Sequence, residues 1–99
     1  MEELSKSRGF QWDEGNSEKN WLAHKVSRAE CEQVFFNRLL VAPGNDTPAG
    51  WERRYYLLGQ TDAGRRLFVV FTIRGDLARV ISARDMSRRE RRIYERAKE

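Results

Sequence analysis

Three apolar segments in the second half of the chain, joined by short polar turns, constrain the fold more than any other feature of the sequence. The segments are RYYLLG (54–59), RRLFVVFTI (65–73) and LARVISAR (77–84). Turns as short as QTDAG and RGD join strands that run antiparallel. The middle segment is nearly all apolar, which indicates a strand that is covered on both faces. The sequence therefore predicts a three-stranded antiparallel meander.

Two further segments before the meander have the character of strands. GFQWD (9–13) places Phe10 and Trp12 on one face, because alternate residues of a strand share a side. LLVA (39–42) is the second predicted strand. PGNDTPAG (43–50) holds both prolines of the chain together with two glycines, and it predicts a loop.

Helix-start signals mark three other segments. Asn16 or Ser17 is predicted to cap a helix over 17–25, with Trp21 and Leu22 facing inward. Two capping boxes predict the starts of a second and a last helix, and these are Ser27 with Glu30 and Ser87 with Glu90. The predicted order is β-α-α-β-β-β-β-α. This is an α+β fold with a small antiparallel sheet, two N-terminal helices and one C-terminal helix.

Length and composition limit the class of protein. Ninety-nine residues predict a single domain over 1–99, with the polar residues 1–8 flexible. The single cysteine, Cys31, excludes an internal disulfide and fits a reducing compartment. The chain has no signal-peptide pattern and no stretch near the roughly 18 apolar residues of a membrane helix. A cytoplasmic protein without a membrane partner is therefore expected.

Charge is distributed unevenly and indicates an anionic partner. Residues 1–50 carry a net charge of −2 and residues 51–99 one of +6, and arginine outnumbers lysine 15 to 4. Guanidinium groups bind phosphate in a bidentate way that ammonium groups cannot match. One histidine and one cysteine offer no metal-site spacing, and there is no glycine-rich phosphate loop. No metal and no cofactor are predicted.

These residue types suit RNA cleavage without a metal, in which the 2′-hydroxyl attacks the adjacent phosphorus. Fixed guanidinium groups can stabilise the negative charge of its transition state. Arg54, Arg79 and Arg84 are the candidates, although ion pairing alone also explains each of them. Arg79 and Arg84 are an odd number of residues apart, which puts them on opposite faces of a regular strand unless the strand twists or bulges.

Proton transfer needs a base and an acid, and His24, Glu90 and Tyr94 are the candidates. Each has a structural alternative. His24 lies near a helix end, where it can interact with the helix dipole. Glu90 closes a capping box, and Tyr94 is on the apolar side of its helix, where a buried ring with a bonded hydroxyl is expected.

The chain resembles the BrnT toxins of bacterial type II toxin–antitoxin systems. The resemblance rests on FQWD (10–13), NWLAHKV (20–26), EQVF (32–35), RYYLLG (54–59), RRLFVVFT (65–72) and RVISARDMSRRERRIYE (79–95). It implies an RNA-cleaving toxin that inhibits translation, with a fold like that of the RelE-type endoribonucleases. It also implies neutralisation by a BrnA-like ribbon-helix-helix antitoxin, through which the pair would bind operator DNA.

The predicted RNA contacts outside the catalytic set are Trp12, Lys25, Arg53 and Arg88. Asn16 and Ala23 stand where the family often has lysine, and Lys25 is the predicted substitute. An alternative function remains open: a module that binds nucleic acid or antitoxin without cutting RNA and acts in transcriptional autoregulation.

Overall fold

The computed structural model describes residues 9–44 and 53–97. Their helices and strands follow the predicted order: β1 (Gly9–Gln11), α1 (Glu14–His24), α2 (Arg28–Phe36), β2 (Leu39–Pro43), β3 (Arg54–Gln60), β4 (Arg66–Arg74), β5 (Leu77–Asp85) and α3 (Arg88–Ala97). The predicted flexibility of residues 1–8 and most of the predicted loop 43–50 lie outside the described residues. None of the described helices is long and apolar enough to cross a membrane.

The five strands form one sheet in the order β1-β5-β4-β3-β2. Neighbouring strands from β2 to β5 are antiparallel, so the predicted meander is confirmed. The edge strand β1 pairs parallel to β5, which makes the sheet mixed rather than purely antiparallel. The α+β class is confirmed.

One face of the sheet, the core face, carries the main hydrophobic core. Leu57, Val69 and Phe71 project from it and are fully buried against Val34 of α2. Gly59 of β3 lies directly under α2, where an added Cβ would come within 3.1 Å of the Val34 Cβ. The close packing of α2 on the sheet therefore requires a residue without a side chain at position 59.

The last helix, α3, packs on the opposite face against β2 and β3. Arg66 precedes the buried Leu67 in β4, so it projects to this opposite face, where it forms an ion pair with Glu95 of α3. Tyr94 is fully buried, and its hydroxyl donates to the Arg38 carbonyl oxygen at 2.7 Å. These contacts fix α3 over one end of the opposite face and leave the rest of that face uncovered by α3.

The prediction for the start and the buried side of α1 is wrong. Asp13 caps the helix, since its Oδ1 accepts from the Asn16 amide at 3.1 Å. Trp21 and Leu22 are 49% and 64% exposed, whereas Asn20 is 1% exposed. The reason is that β1 ends at Gln11, so β5 extends beyond its neighbour and needs another acceptor for its free edge.

Asn20 provides that acceptor, because its Oδ1 accepts from the Ala83 amide of β5 at 3.2 Å. The helix therefore turns a polar side chain towards the sheet edge. Both predicted capping boxes form: the Ser27 amide donates to Glu30 at 3.0 Å and the Ser87 amide to Glu90 at 2.8 Å.

Arg65, at the start of β4, holds the ends of α1, α2 and β5 together. Its guanidinium donates to the carbonyl oxygens of His24 and Lys25 at 2.9 and 2.7 Å. It also pairs with Glu30 at 3.1 Å and with Asp85 at 2.8 Å. The Arg65 hydrogen bond lowers the pKa of Asp85, against the opposing effect of burial. One side chain thus joins three elements at a single corner of the molecule.

Candidate functional site

A β-bulge in β5 decides on which face its two candidate arginines lie. The ladder between β4 and β5 slips by one residue at this point, where successive pairs are Phe71 with Val80 and Val70 with Ser82. Ile81 is the extra residue and has no partner in β4. An extra residue reverses the alternation of side chains beyond it. Arg79 and Arg84 therefore project from the same face, although regular alternation would separate them.

Three residues on adjacent strands form a row across this face. Arg54 of β3 is paired with Thr72 of β4, and Thr72 is paired with Arg79 of β5. Paired residues of neighbouring strands share a face, with Cβ atoms about 5 Å apart. We call Arg54, Thr72 and Arg79 the arginine row, and the face that carries it the arginine face. The helix α3 packs on this same face, but it lies further along the strands than the row.

The centre of the row holds an unusual polar group. Thr72 is 3% exposed, and its hydroxyl oxygen is buried without a hydrogen-bond partner within the described part of the chain. Most buried hydroxyl groups in proteins are hydrogen-bonded. The row therefore consists of two cations on either side of a hydroxyl whose hydrogen-bonding capacity is unused.

The two ends of the row differ in their partners. One hydrogen bond of 3.3 Å joins the Arg79 Nη2 to Asp13 Oδ2. The pKa of Asp13 is lowered, first by the backbone hydrogen bond from Asn16 and then by Arg79, while desolvation opposes both. Arg54 is exposed, and no carboxylate within residues 9–44 and 53–97 forms an ion pair with it. Within the described part of the chain, the Arg54 end of the row thus keeps a positive charge that no ion pair neutralises.

Arg84 lies further along β5 on the same face and is firmly paired. Two of its nitrogens donate to the two carboxylate oxygens of Glu90, at 2.8 and 2.9 Å. This pairing lowers the pKa of Glu90 against the effect of burial, and the hydrogen bond from the Ser87 amide contributes. Glu90 is therefore held ionised, as a hydrogen-bond acceptor. The Arg84 Cζ also lies 4.4 Å from the ring centroid of Phe68.

The three predicted proton-transfer residues are not brought together. Tyr94 is buried with its hydroxyl bonded to Arg38, as the structural alternative expected. His24 is exposed at the C-terminal end of α1, near Asp85. Asp13 and Arg79 lie at the other end of this eleven-residue helix, about 16 Å away at 1.5 Å per residue.

The predicted RNA contacts are also spread over the molecule. Trp12 is half-buried against the core, and its indole Nε1 donates to Glu32 at 2.7 Å, so it lies apart from the arginine row. Lys25 is exposed in a left-handed backbone conformation, with its ammonium over the Trp21 ring. Arg53 and Arg88 are exposed, beside β3 and at the start of α3 respectively.

The three candidate arginines, Arg54, Arg79 and Arg84, project from one face of the sheet, and two of them are paired with carboxylates, Arg79 with Asp13 and Arg84 with Glu90. Sequence reasoning missed two residues of this site. Asp13 stands in the FQWD segment, where its position before a helix is a capping signal. Thr72 carries no local signal, because its place between two arginines depends on the pairing of three strands. Among the described residues, no group of three or more histidine, cysteine, aspartate or glutamate side chains is arranged to hold a metal ion.

Comparisons with known proteins agree with this architecture. A family model described as "Ribonuclease toxin, BrnT, of type II toxin-antitoxin system" matches residues 12–90. The crystal structure of the ribonuclease toxin BrnT from Brucella abortus has a similar fold, with a TM-score of 0.57 and 23% sequence identity. The match covers 81% of this chain and 97% of the Brucella chain. The comparison with curated proteins gives no significant match.

Proposed function

We propose that this chain is an endoribonuclease that cuts RNA without a metal ion and so inhibits translation. The premise is that the chain belongs to the BrnT family of ribonuclease toxins of type II toxin–antitoxin systems. The proposal treats residues 1–99 as one toxin domain with a RelE-like fold, acting in the cytoplasm. Its support is the arginine row, which places two guanidinium groups on either side of Thr72 on one face of the sheet.

The reaction that suits these groups is an internal transesterification. The 2′-hydroxyl gives up its proton and its oxygen bonds to the adjacent phosphorus, while the bond from phosphorus to the 5′-oxygen breaks. The departing 5′-oxygen takes up a proton, which leaves a 2′,3′-cyclic phosphate and a 5′-hydroxyl. Negative charge collects on the phosphate oxygens in the transition state, and fixed donors aimed at these oxygens lower the barrier.

Arg54 and Arg79 are the proposed donors to the RNA backbone, and Arg84 engages a neighbouring phosphate. Phosphate oxygens compete with Asp13 for Arg79 at little cost, since that pair has one hydrogen bond and a half-exposed carboxylate. Arg84 is held more tightly, because both Glu90 oxygens accept from it. We therefore expect Arg79 to move towards RNA more readily than Arg84.

The exposed candidate for proton transfer, His24, lies about 16 Å from Asp13 and Arg79 along α1, beyond the hydrogen-bond reach that a general acid or base at the row requires. We therefore propose that solvent water accepts the 2′-hydroxyl proton and supplies the proton of the 5′-oxygen. Glu90 and Tyr94 serve the fold in this proposal, Glu90 by orienting Arg84 and Tyr94 by anchoring α3.

The proposed partner is a BrnA-like ribbon-helix-helix antitoxin, which would cover a basic surface of the toxin and bring the pair to operator DNA. Net charge supports an acidic contact, since residues 51–99 carry a net charge of +6. A short reading frame of ribbon-helix-helix type next to the gene, and its co-purification with the toxin, is the expected finding.

The direct test is cleavage of RNA by the purified chain in excess EDTA. Replacing Arg54 or Arg79 with glutamine should lower kcat/KM by roughly 10²–10³-fold, which is the usual effect of removing one transition-state donor. Arg28→Gln makes the same charge change at the contact between α1 and α2 and should leave the rate unchanged. Loss of cleavage in EDTA would contradict metal independence, and unchanged rates in both row variants would contradict the site.

One observation favours a second candidate function, a module that binds RNA or antitoxin without cutting. Only one of the three proton-transfer candidates is exposed, and it lies at the opposite end of α1 from Asp13 and Arg79. Retained RNA binding with no cleavage under any condition, and no toxicity when the chain is induced alone, would support this alternative.

A further inference from the structure

An exposed aromatic ring stands between the arginines on the arginine face. Tyr56 is 37% exposed and follows Arg54 by two residues in β3. Residues two apart in a strand project from the same face and are separated by roughly 6.6 Å. The Tyr56 ring and the Arg54 guanidinium therefore belong to neighbouring side chains of the same face.

The surroundings of Tyr56 form an apolar platform with a cation at its edge. Its ring centroid is 5.7 Å from that of Phe68, and the rings are tilted by 48°. The directly paired residue in β4 is Val70, half-buried on the same face. The Arg84 guanidinium lies over the far side of the platform, 4.4 Å from the Phe68 ring centroid.

The position of the Tyr56 ring is also fixed from the β2 side. Gly44, just after β2, donates its amide to the Arg54 carbonyl oxygen at 2.7 Å. A Cβ added at Gly44 would come within 3.3 Å of the Tyr56 Cζ and 3.0 Å of the Arg54 oxygen. The ring thus rests between a glycine and Phe68, with part of its surface open to solvent.

We propose that Tyr56 forms a nucleobase-binding subsite, in which an unpaired base of single-stranded RNA stacks on the ring while the adjoining phosphate binds the arginine row. This inference rests on the proposed function, namely that RNA binds on this face. Stacking on an aromatic ring accepts every base, because each base has a π-face. Arginines on both sides of the platform attract a polyanion and would repel a basic peptide. A base within a duplex cannot offer its face, so the subsite selects single strands.

The experiment measures binding separately from cutting. The probe is a fluorescein-labelled 2′-O-methyl RNA hexanucleotide, which cannot be cleaved because its 2′-hydroxyls are blocked. Fluorescence anisotropy gives its Kd for the full chain and for Tyr56→Leu, Tyr56→Phe and Trp21→Leu. Trp21→Leu is the matched control, since Trp21 is another exposed aromatic on a helix away from the row.

We expect Tyr56→Leu to weaken binding by about 5- to 100-fold, the usual range for loss of one stacked base. Tyr56→Phe and Trp21→Leu should bind like the wild type. A hexanucleotide that lacks one base should bind the wild type more weakly by the same factor when the missing base is the one that stacks on Tyr56. The same abasic probe should bind Tyr56→Leu as tightly as the intact probe does. Thermal unfolding of each variant confirms that it is folded.

Three results would overturn the inference, and they are distinguishable. If Tyr56→Leu binds the intact probe like the wild type, the subsite is absent while the proposed RNA-binding function survives. If Tyr56→Leu weakens only the complex with a co-purified antitoxin, the platform is a protein-binding surface. If the wild-type chain binds no oligonucleotide, both the subsite and the proposed function fail.

Discussion

Deletion of Ile81 tests whether the bulge is what brings Arg79 and Arg84 to one face. Phe71 and Val70, which flank the slip in the ladder, are adjacent in β4. Removing Ile81 therefore lets every other residue of β5 keep its present partner. In the resulting regular strand Arg79 and Arg84 are four residues apart, an even separation that retains their common face. We expect the ΔIle81 protein to fold and to keep its activity.

The size of the effect follows from burial. Full burial of an aliphatic side chain contributes roughly 1.5–3 kcal/mol, and Ile81 is half-buried. Its deletion should lower the free energy of unfolding by about 1 kcal/mol, which corresponds to a fall in Tm of roughly 4–8 °C for a domain of this size.

Deletion of Val70 is the matched control, because Val70 is also half-buried and aliphatic but has regular partners on both sides. A one-residue slip reverses the faces of all residues beyond it. It would turn the buried Phe71 and the half-buried Ile73 away from the core. The combined cost is roughly 4 kcal/mol or more, close to the total stability of many small domains.

Thermal unfolding followed by circular dichroism, together with the cleavage assay, checks both deletions. The expected result is a folded, active ΔIle81 protein and an unfolded or inactive ΔVal70 protein. If ΔIle81 is as damaging as ΔVal70, or if it folds but no longer cleaves RNA, the bulge does not set the geometry of the site.

Three further predictions concern the fold that supports this face. Tyr94→Phe leaves the Arg38 carbonyl without its donor, so the free energy of unfolding should fall by about 1–2 kcal/mol in urea titrations, with kcat unchanged well below the Tm. Burial and the neighbouring carboxylates raise the pKa of Cys31 to about 12, so a thiol reagent at pH 8 should react only when urea unfolds the chain. Because Arg84 lowers the pKa of Glu90 in the folded state, the stability that this pair contributes is present above the unfolded pKa near 4.5 and is lost as pH falls through the lower folded value. Glu90→Gln should flatten this part of the urea-stability profile, while a profile as steep as that of the wild type would assign the effect to other carboxylates.

Local signals in the sequence were sufficient for most of the elements. Both capping boxes form because Ser and Glu three residues apart satisfy each other's backbone amides without help from distant residues. The meander follows from apolar segments and short turns in the same way. These features depend on neighbours along the chain, so a single sequence contains the information that determines them.

Features that depend on pairing between distant segments were not predictable. The buried side of α1 was assigned by hydrophobicity, yet Asn20 faces the sheet because the free edge of β5 needs an acceptor. The VISA segment gives no sign of a bulge, since Ile81 becomes the extra residue only through the register of β4 and β5. The arginine row likewise exists only once three strands are aligned.

The salt dependence of RNA binding tests the arginine row most directly. For single strands, the slope of log K against log salt changes by about 0.7 for each phosphate contact. With a 2′-O-methyl oligonucleotide, Arg54→Gln and Arg79→Gln should each reduce the magnitude of that slope by about 0.7, and Arg28→Gln should leave it unchanged. If the slope of both row variants equals that of the wild type, these guanidinium groups do not hold the RNA backbone.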